Sequence, residues 1–213
     1  MMTEAQIKTT SEQTRSRLLE AAREVFSQHG FQGATVREIC RRADANGAAV
    51  NYHFGSKDGL LAEALNFAPL KAMQKANDKA GECPRMRLHL FISDFMLMLL
   101  DEKNPSSQCQ IMARELADPT PALDKIVREA IQPMHEFLGK LVRETVGDKI
   151  SEAELRRCVY SIFGQCLFYR HSQPVLQRLH PKLRYDHKEI EAIAEHIAEF
   201  SLAGIKRLAK IRA

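Results

Sequence analysis

The chain of 213 residues has no uninterrupted apolar run of membrane-spanning length. Its best stretch, Leu88 to Leu100, is broken by His89, Ser93 and Asp94, so no membrane span is expected. The opening MMTEAQIKTTSEQT lacks the apolar core of a secretion signal, which points to a cytoplasmic protein. Cys40, Cys83, Cys109, Cys158 and Cys166 form no CxxC pair and no zinc-finger spacing. That pattern fits reduced thiols and argues against disulfides and a metal site. Excess charge of one sign is also missing. The chain carries a net +4, and residues 1–60 hold eight Lys/Arg against seven Asp/Glu, so composition alone does not mark a nucleic-acid binder. A catalytic constellation is absent as well. His187 with Glu191, or Cys158 with Cys166, are pairs without a third group to complete a nucleophile, base and orienting residue. The sequence therefore predicts no enzyme, no catalytic residue, no metal and no cofactor.

What the sequence does have is 45% hydrophobic residues, enough for a buried core, and a dense set of helix signals between Ala34 and Leu61. Thr35 and Glu38 have capping-box spacing: the threonine oxygen accepts from the Glu38 amide, the glutamate reaches back to the Thr35 amide, and a helix starts at Val36. Asp44-Ala45-Asn46-Gly47 supplies a turn, one residue of it left-handed, with Asn46 capping the next helix. In that short helix Val50 and Phe54 face a core. Ser56 caps a third start. Arg37, Arg41, Arg42 and Lys57 lie along this hairpin, so their field is expected to be one-sided despite the near-zero total. Ahead of it, Leu18, Ala22, Val25 and Phe26 recur at helical spacing in a helix from Thr14 to His29 that Gly30 ends. Its polar side, with Arg15, Arg17 and Arg23 against Glu20 and Glu24, is expected to be solvated.

The order Gly30-Phe31, Gly33, Thr35-Val36-Arg37-Glu38-Ile39, Asn51-Tyr52-His53-Phe54 and Ser56-Lys57-Asp58-Gly59-Leu60 resembles the DNA-binding domain of the tetracycline-repressor (TetR) family over residues 11 to 61. The resemblance implies an all-α homodimer of about nine helices per chain. An N-terminal three-helix helix-turn-helix domain, residues 1–57 and ordered from about residue 12, grips a palindromic DNA operator, and residues 58–213 bind a small-molecule effector and dimerise. Lys57, Tyr52 and the helix N-terminus at Thr35 suit phosphate oxygens. Asn51 and Arg37 suit base edges in the major groove, and Gly47, Ala48 and Ala49 allow close approach and methyl contact. His53 completes the set, with packing inside the head as the alternative for it and for Tyr52. Ala49 and Asn51 depart from much of the family, so the operator sequence does not carry over.

Beyond Lys57 a connector helix is expected through Leu65, Phe67 and Met73 to about Ala80. Pro69 would put a kink in it, either a joint that transmits motion or a fixed bend. Gly81 ends the connector and Pro84 opens a helix to about Asp101, apolar nearly all round and so the strut of the second domain. Pro105 opens a shorter helix, Thr120 and Pro121 the next, and Pro133 kinks that one. Arg114-Glu115, Pro119-Thr120, Ala122, Pro133 and His135 resemble the C-terminal domain of the CecR-like subgroup of the same family. That implies a regulator connected to efflux or tolerance of toxic compounds. Ser151 with Glu154 and Asp186 with Glu189 are further capping boxes, and Gln173-Pro174 ends the first of the two helices they start.

Phe91, Phe95, Met98, Met112, Met134, Phe163 and Tyr169 either fill a solid core or line an apolar pocket. His89, Arg114, His135 and Gln165 among them favour the pocket, because buried polar groups need partners. Val159, Ile162, Ile193, Ile197, Ala198, Ser201, Gly204 and Leu208 form stripes expected to meet a second copy in a four-helix contact. The function expected is a ligand-responsive repressor released by a mostly apolar effector. A redox regulator using Cys158 or Cys166 is the alternative.

Overall fold

Side-chain caps set where the helices begin. A computed structural model describes residues 4–65, 83–100, 107–146 and 150–211, and among these every regular element is helical. The helices are α1 (Glu4–Gly33), α2 (Val36–Arg42), α3 (Ala48–Phe54), α4 (Lys57–Ala64), α5 (Pro84–Leu100), α6 (Ser107–Ala117), α7 (Ala122–Ile126), α8 (Gln132–Val146), α9 (Glu152–His171), α10 (Gln173–Leu179) and α11 (His187–Ile211). The expected kink at Pro69, the stop at Gly81 and the helix start at Pro105 fall outside the described residues.

The chain divides into two compact units, Met1–Phe67 with Ser106–Glu129, and Ala68–Pro105 with Ala130–Ala213. In the first, α1 packs on α2, α3, α4 and α6, and α4 packs on α7. Its core is Leu18, Ala22, Val25, Phe26, Ile39, Val50, Leu60 and Leu61, all with at most 1% exposure. In α1 the helix already runs from Glu4, ahead of the Thr14 start, and Gly30 breaks it with φ 68° and ψ −178°. Only glycine takes that conformation at little cost. Helices α6 and α7, which a boundary at residue 57 groups with the effector domain, pack inside this unit with the head.

In the second unit α5 is the strut, in contact with α8, α9 and α11. Phe91 sits at the centre of a ring cluster, with centroids 6.1 Å from Phe95, 5.5 Å from Phe137 and 6.2 Å from Phe163. Pro133 leaves its mark one turn upstream: Val127–Ile131 winds as a π-helical turn. Proline lacks an amide hydrogen and clashes with the carbonyl four residues back, and widening that turn relieves both. Ser151 and Glu154 form the expected reciprocal capping box, and Asp186 Oδ1 accepts from the Glu189 amide at 2.9 Å.

The helix begun at Ser151 ends at His171, just ahead of Gln173-Pro174 as expected, and that pair opens α10, because proline is well placed at the start of a helix. One expectation needs correction. The expected dimer stripe mostly faces inward: Val159, Ile162, Ile193, Ile197, Ala198 and Ser201 are buried within their own unit, while Gly204 and Leu208 are exposed. Helices α9 and α11 pack on α5, α8 and each other, because so apolar a strut needs cover on several sides.

Candidate nucleic-acid interface

The hairpin of α2 and α3 presents the polar residues of the head. Thr35 Oγ1 accepts from the Glu38 amide at 3.1 Å and fixes the start of α2. Only half of the expected capping box forms. The Glu38 carboxylate turns away from the Thr35 amide to Arg41, with bonds of 2.9 and 2.8 Å, and to Arg42 at 2.7 Å. Charge-assisted bonds to guanidinium groups outcompete a neutral amide. The Arg41 hydrogen bond leads, with Arg42 next, in holding the Glu38 carboxyl down at about 2. The consequence is electrostatic: two of the four cations expected to light up this surface are neutralised in place.

Asp44 takes the left-handed turn position, φ 47°, which aspartate tolerates better than most residues. Asn46 Oδ1 accepts from the Ala48 amide at 2.9 Å, so Asn46 is the side-chain cap of α3, as its sequence position indicates. Val50 and Phe54 anchor α3 in the core, and Arg15 lies 5.3 Å from the Phe54 ring centroid. The other face is open. Asn51 is exposed, Tyr52 is 80% exposed, Ala48 and Gly47 are exposed, and nothing lies within 4 Å of a Cβ added at Gly47. His53 is half-buried, its ring edge-on to Tyr52 at 4.8 Å, and Ala49 is half-buried beside it. Arg37 on α2 is exposed and makes no ion pair among the described residues.

Ser56 Oγ accepts from the Gly59 amide at 3.0 Å and starts α4. Gly59 is required there, because a Cβ would lie 2.1 Å from the Phe54 carbonyl oxygen. Lys57 is less free than its position suggests. Its ammonium sits 4.2 Å from the centroid of the Phe31 ring, which stacks on Phe26, and burial pushes its pKa down. The polar side of α1 expected to be solvated is also engaged: Arg15 pairs with Glu63, Arg17 with Asp44 at 3.6 Å, and Arg23 Nε donates to the Ala64 carbonyl at 3.0 Å. Periodicity within α1 carries no sign of these partners.

Arg114 is the largest surprise. It lies in the first unit, where its guanidinium donates to the Gln28 carbonyl at 3.3 Å and would sit 3.5 Å from a Cβ at Gly30. It thus caps the broken end of α1 beside a cavity of about 220 Å³ lined by His29, Phe31, Leu61 and Ile111. Its neighbour Glu115 is buried and accepts from the Thr120 amide and hydroxyl at 2.8 and 2.7 Å, closing the α6–α7 turn. Met112 also belongs to this unit.

The remaining expected ligand residues lie in the second unit. Phe91, Phe95 and Phe163 come together in the ring cluster, and Met134 is buried. Gln165 Nε2 donates to Ser201 Oγ at 3.1 Å. His89, Met98 and Tyr169 are half-buried. His135 borders a groove of about 560 Å³ between α8 and α9 that is lined by Glu136, Lys140, Arg143, Glu144 and Glu152, and its Nε2 is buried without a hydrogen-bond partner. Burial raises the thiol pKa of Cys40 and Cys158, and pushes that of Cys166 up to about 12, which leaves little of the thiolate a redox sensor needs. No helix among the described residues is long and apolar enough to cross a membrane.

Comparison with known proteins gives this geometry a lineage. Residues 18–64 match the family described as bacterial regulatory proteins, tetR family, and residues 84–205 match the C-terminal domain of the HTH-type transcriptional dual regulator CecR. The CecR protein of Shigella flexneri is 26% identical over 171 residues, which span 75% of this chain and 76% of that protein. Two crystal structures share the fold. A transcriptional regulator from Pseudomonas aeruginosa PAO1 superposes with TM-score 0.69 at 22% identity, over 92% of this chain and 93% of that one. The regulator FadR from Bacillus subtilis, in complex with stearoyl-CoA, does so with TM-score 0.67 at 16% identity, over 89% and 98%. The chain is a DNA-binding transcriptional regulator that belongs to the TetR family and carries a CecR-like C-terminal domain.

Proposed function

We propose that the chain is a ligand-responsive repressor that binds a palindromic operator as a homodimer and is released by a small, mostly apolar effector. It catalyses no reaction in this reading and works in the cytoplasm. One observation carries the DNA half: Asn51 and Tyr52 on α3, and Arg37 on α2, point exposed groups outward from a hairpin whose opposite side is locked into a core. Asn51 and Arg37 read base edges, while Thr35, Tyr52 and Lys57 contact phosphates. Lys57 must leave the Phe31 ring to do so, a small rearrangement. Gly47, Ala48 and Ala49 admit the groove wall, and His53 supports Tyr52.

We assign DNA binding to residues 1–57, and effector binding and dimerisation to 58–213. The dimer face is the outward side of α9 and α11, where Tyr160, Phe168, Phe200 and Leu208 are exposed at 58%, 55%, 65% and 43%. Large exposed apolar groups on these two helices favour a partner of like character. The effector site is the ring cluster of Phe91, Phe95 and Phe163 with Met98, Met134, His89, His135, Gln165 and Tyr169 around it. These rings touch one another, so an effector enters by parting them. The stearoyl-CoA held by the FadR relative supports a ligand with a long apolar part.

Selection of bound DNA from a random pool by the full-length chain tests the first half. The expected product is a two-fold symmetric sequence with half-sites about one helical turn or slightly more apart. Enrichment of no sequence would sink it. For the second half, acyl compounds and hydrophobic antibiotics are screened by thermal shift and then titrated against the selected operator. An effective ligand must favour the released state by about 5 kcal/mol to move the dimer from mostly bound to mostly free.

A further inference from the structure

Charge is distributed unevenly in the last third of the chain. Residues 170–188 hold Arg170, Arg178, Lys182, Arg184 and Lys188 against one carboxylate, Asp186. Their excess equals the +4 of the whole protein, so everything outside this segment sums to zero. The next stretch, residues 189–199, reverses the sign: Glu189, Glu191, Glu195 and Glu199, with no lysine or arginine.

Pairing is uneven too. Elsewhere several cations find carboxylates, as Arg42 does with Glu38, Arg87 with Glu144 at 2.7 Å and Arg143 with Glu152 at 2.5 Å, while Arg37 and Arg156 do not among the described residues. In segment 170–188 none of the five does so among the described residues. Arg170 donates to the Gln173 side chain, Arg178 to the Pro174 carbonyl, and Arg184 to the Pro181 and Leu183 carbonyls. On α11, Glu199 is taken by Arg85 at 2.6 Å and Glu191 lies 3.7 Å from His187, while Glu189 and Glu195 meet no cation among the described residues. The same part of the chain exposes apolar groups, Val175 and Leu179 of α10 at 57% and 66% and Phe200 of α11 at 65%.

We propose that in the homodimer the cationic segment 170–188 of one copy lies on the acidic stretch 189–199 of the other, with the reverse contact made by symmetry. This rests on the dimer of the preceding section and gives it a register. A two-fold interface must be self-complementary, and two consecutive, largely exposed segments of opposite sign meet that condition when they cross. An acidic peptide or a nucleic acid would satisfy the cations alone. A second copy satisfies both sets at once. The parallel arrangement sets cation against cation, so the pattern also selects between orientations.

Two full-length variants with opposite reversals test this: Arg178→Glu with Lys182→Glu, and Glu191→Lys with Glu195→Lys. All four side chains are exposed. Sedimentation equilibrium is run at low and high salt on each variant, on the wild type and on an equimolar mixture of the two variants. The wild-type dimer is expected to weaken about tenfold between low and high salt, and each variant alone to weaken about tenfold or more at low salt. The mixture forms a heterodimer of wild-type strength, because in one of its two contacts both reversals face each other and attract with the signs exchanged, while the other contact keeps its wild-type charges. Variants that each dimerise as the wild type does, with no salt dependence, overturn the register and leave the dimer standing. A chain monomeric under every condition removes the dimer itself. Unchanged dimers with weaker binding to DNA of arbitrary sequence in the Arg178→Glu, Lys182→Glu variant would overturn the proposal in favour of nucleic acid. If either double variant misfolds by circular dichroism, the salt series on the wild type and the single Glu195→Lys change decide.

Discussion

The two units are held by different means. In the first, the short helices α2, α3 and α4 are fastened around α1 by directed bonds: Thr35, Asn46 and Ser56 cap three starts, Arg23 reaches the Ala64 carbonyl, and Arg114 reaches the Gln28 carbonyl. In the second, long helices close over stacked and edge-on rings around Phe91. Directed bonds fix position, and a head that must present Asn51 and Arg37 to base edges needs position. Ring packing is less directional and tolerates rearrangement, which suits a site that must part to admit a ligand.

The largest effect should come from the second unit. Phe91→Ala removes a ring with no exposure from the centre of the cluster and is expected to cost about 4 kcal/mol in denaturant unfolding. A loss under about 1 kcal/mol would mean that the rings are not what holds that unit. In the first unit, Gly59→Ala forces a methyl into the Phe54 carbonyl and is expected to cost about 3 kcal/mol, with hydrogen exchange rising in α3 and α4. Arg114→Ala comes next, at about 1 kcal/mol, with faster exchange at the end of α1. Unchanged exchange there would show the Gln28 bond to be idle.

The smallest effect is in pH. Glu38 is held at about 2 against 4.5 for a free glutamate, first by its hydrogen bond to Arg41. A carboxyl depressed by folding contributes stability that is complete above the unfolded value and is lost as pH falls through the folded one. The wild type should therefore lose stability between about pH 4.5 and 2 through this group, and Glu38→Gln should flatten that part of the curve. Parallel curves for the two proteins would remove Glu38 from the set of locks.

Legibility followed the range of the interaction. Thr35, Ser56, Ser151 and Asn46 act on amides within three residues, so spacing alone reveals them, and the resemblance of residues 11 to 61 to TetR-type heads rests on that local grammar. Lys57 over Phe31, Arg15 with Glu63 and Arg114 at Gln28 join residues far apart in sequence, and no periodicity encodes them. The apolar stripe of α11 was visible, but not the direction it faces. Ile193, Ile197 and Ala198 look equally suited to a partner or to their own unit, and the structure buries them in their own unit. For Glu38, two arginines one turn away competed with the Thr35 amide, a contest of bond strengths that a spacing rule does not weigh.

The central claim is that the exposed side of α2 and α3 reads DNA while the rest of the head only positions it. Operator titration of Asn51→Ala against every single-base variant of the selected site tests it most directly. The expected result is a loss of about 1 to 3 kcal/mol that disappears at one base position per half-site, where the variant no longer discriminates. An equal loss on every operator variant, with discrimination intact at all positions, would contradict it.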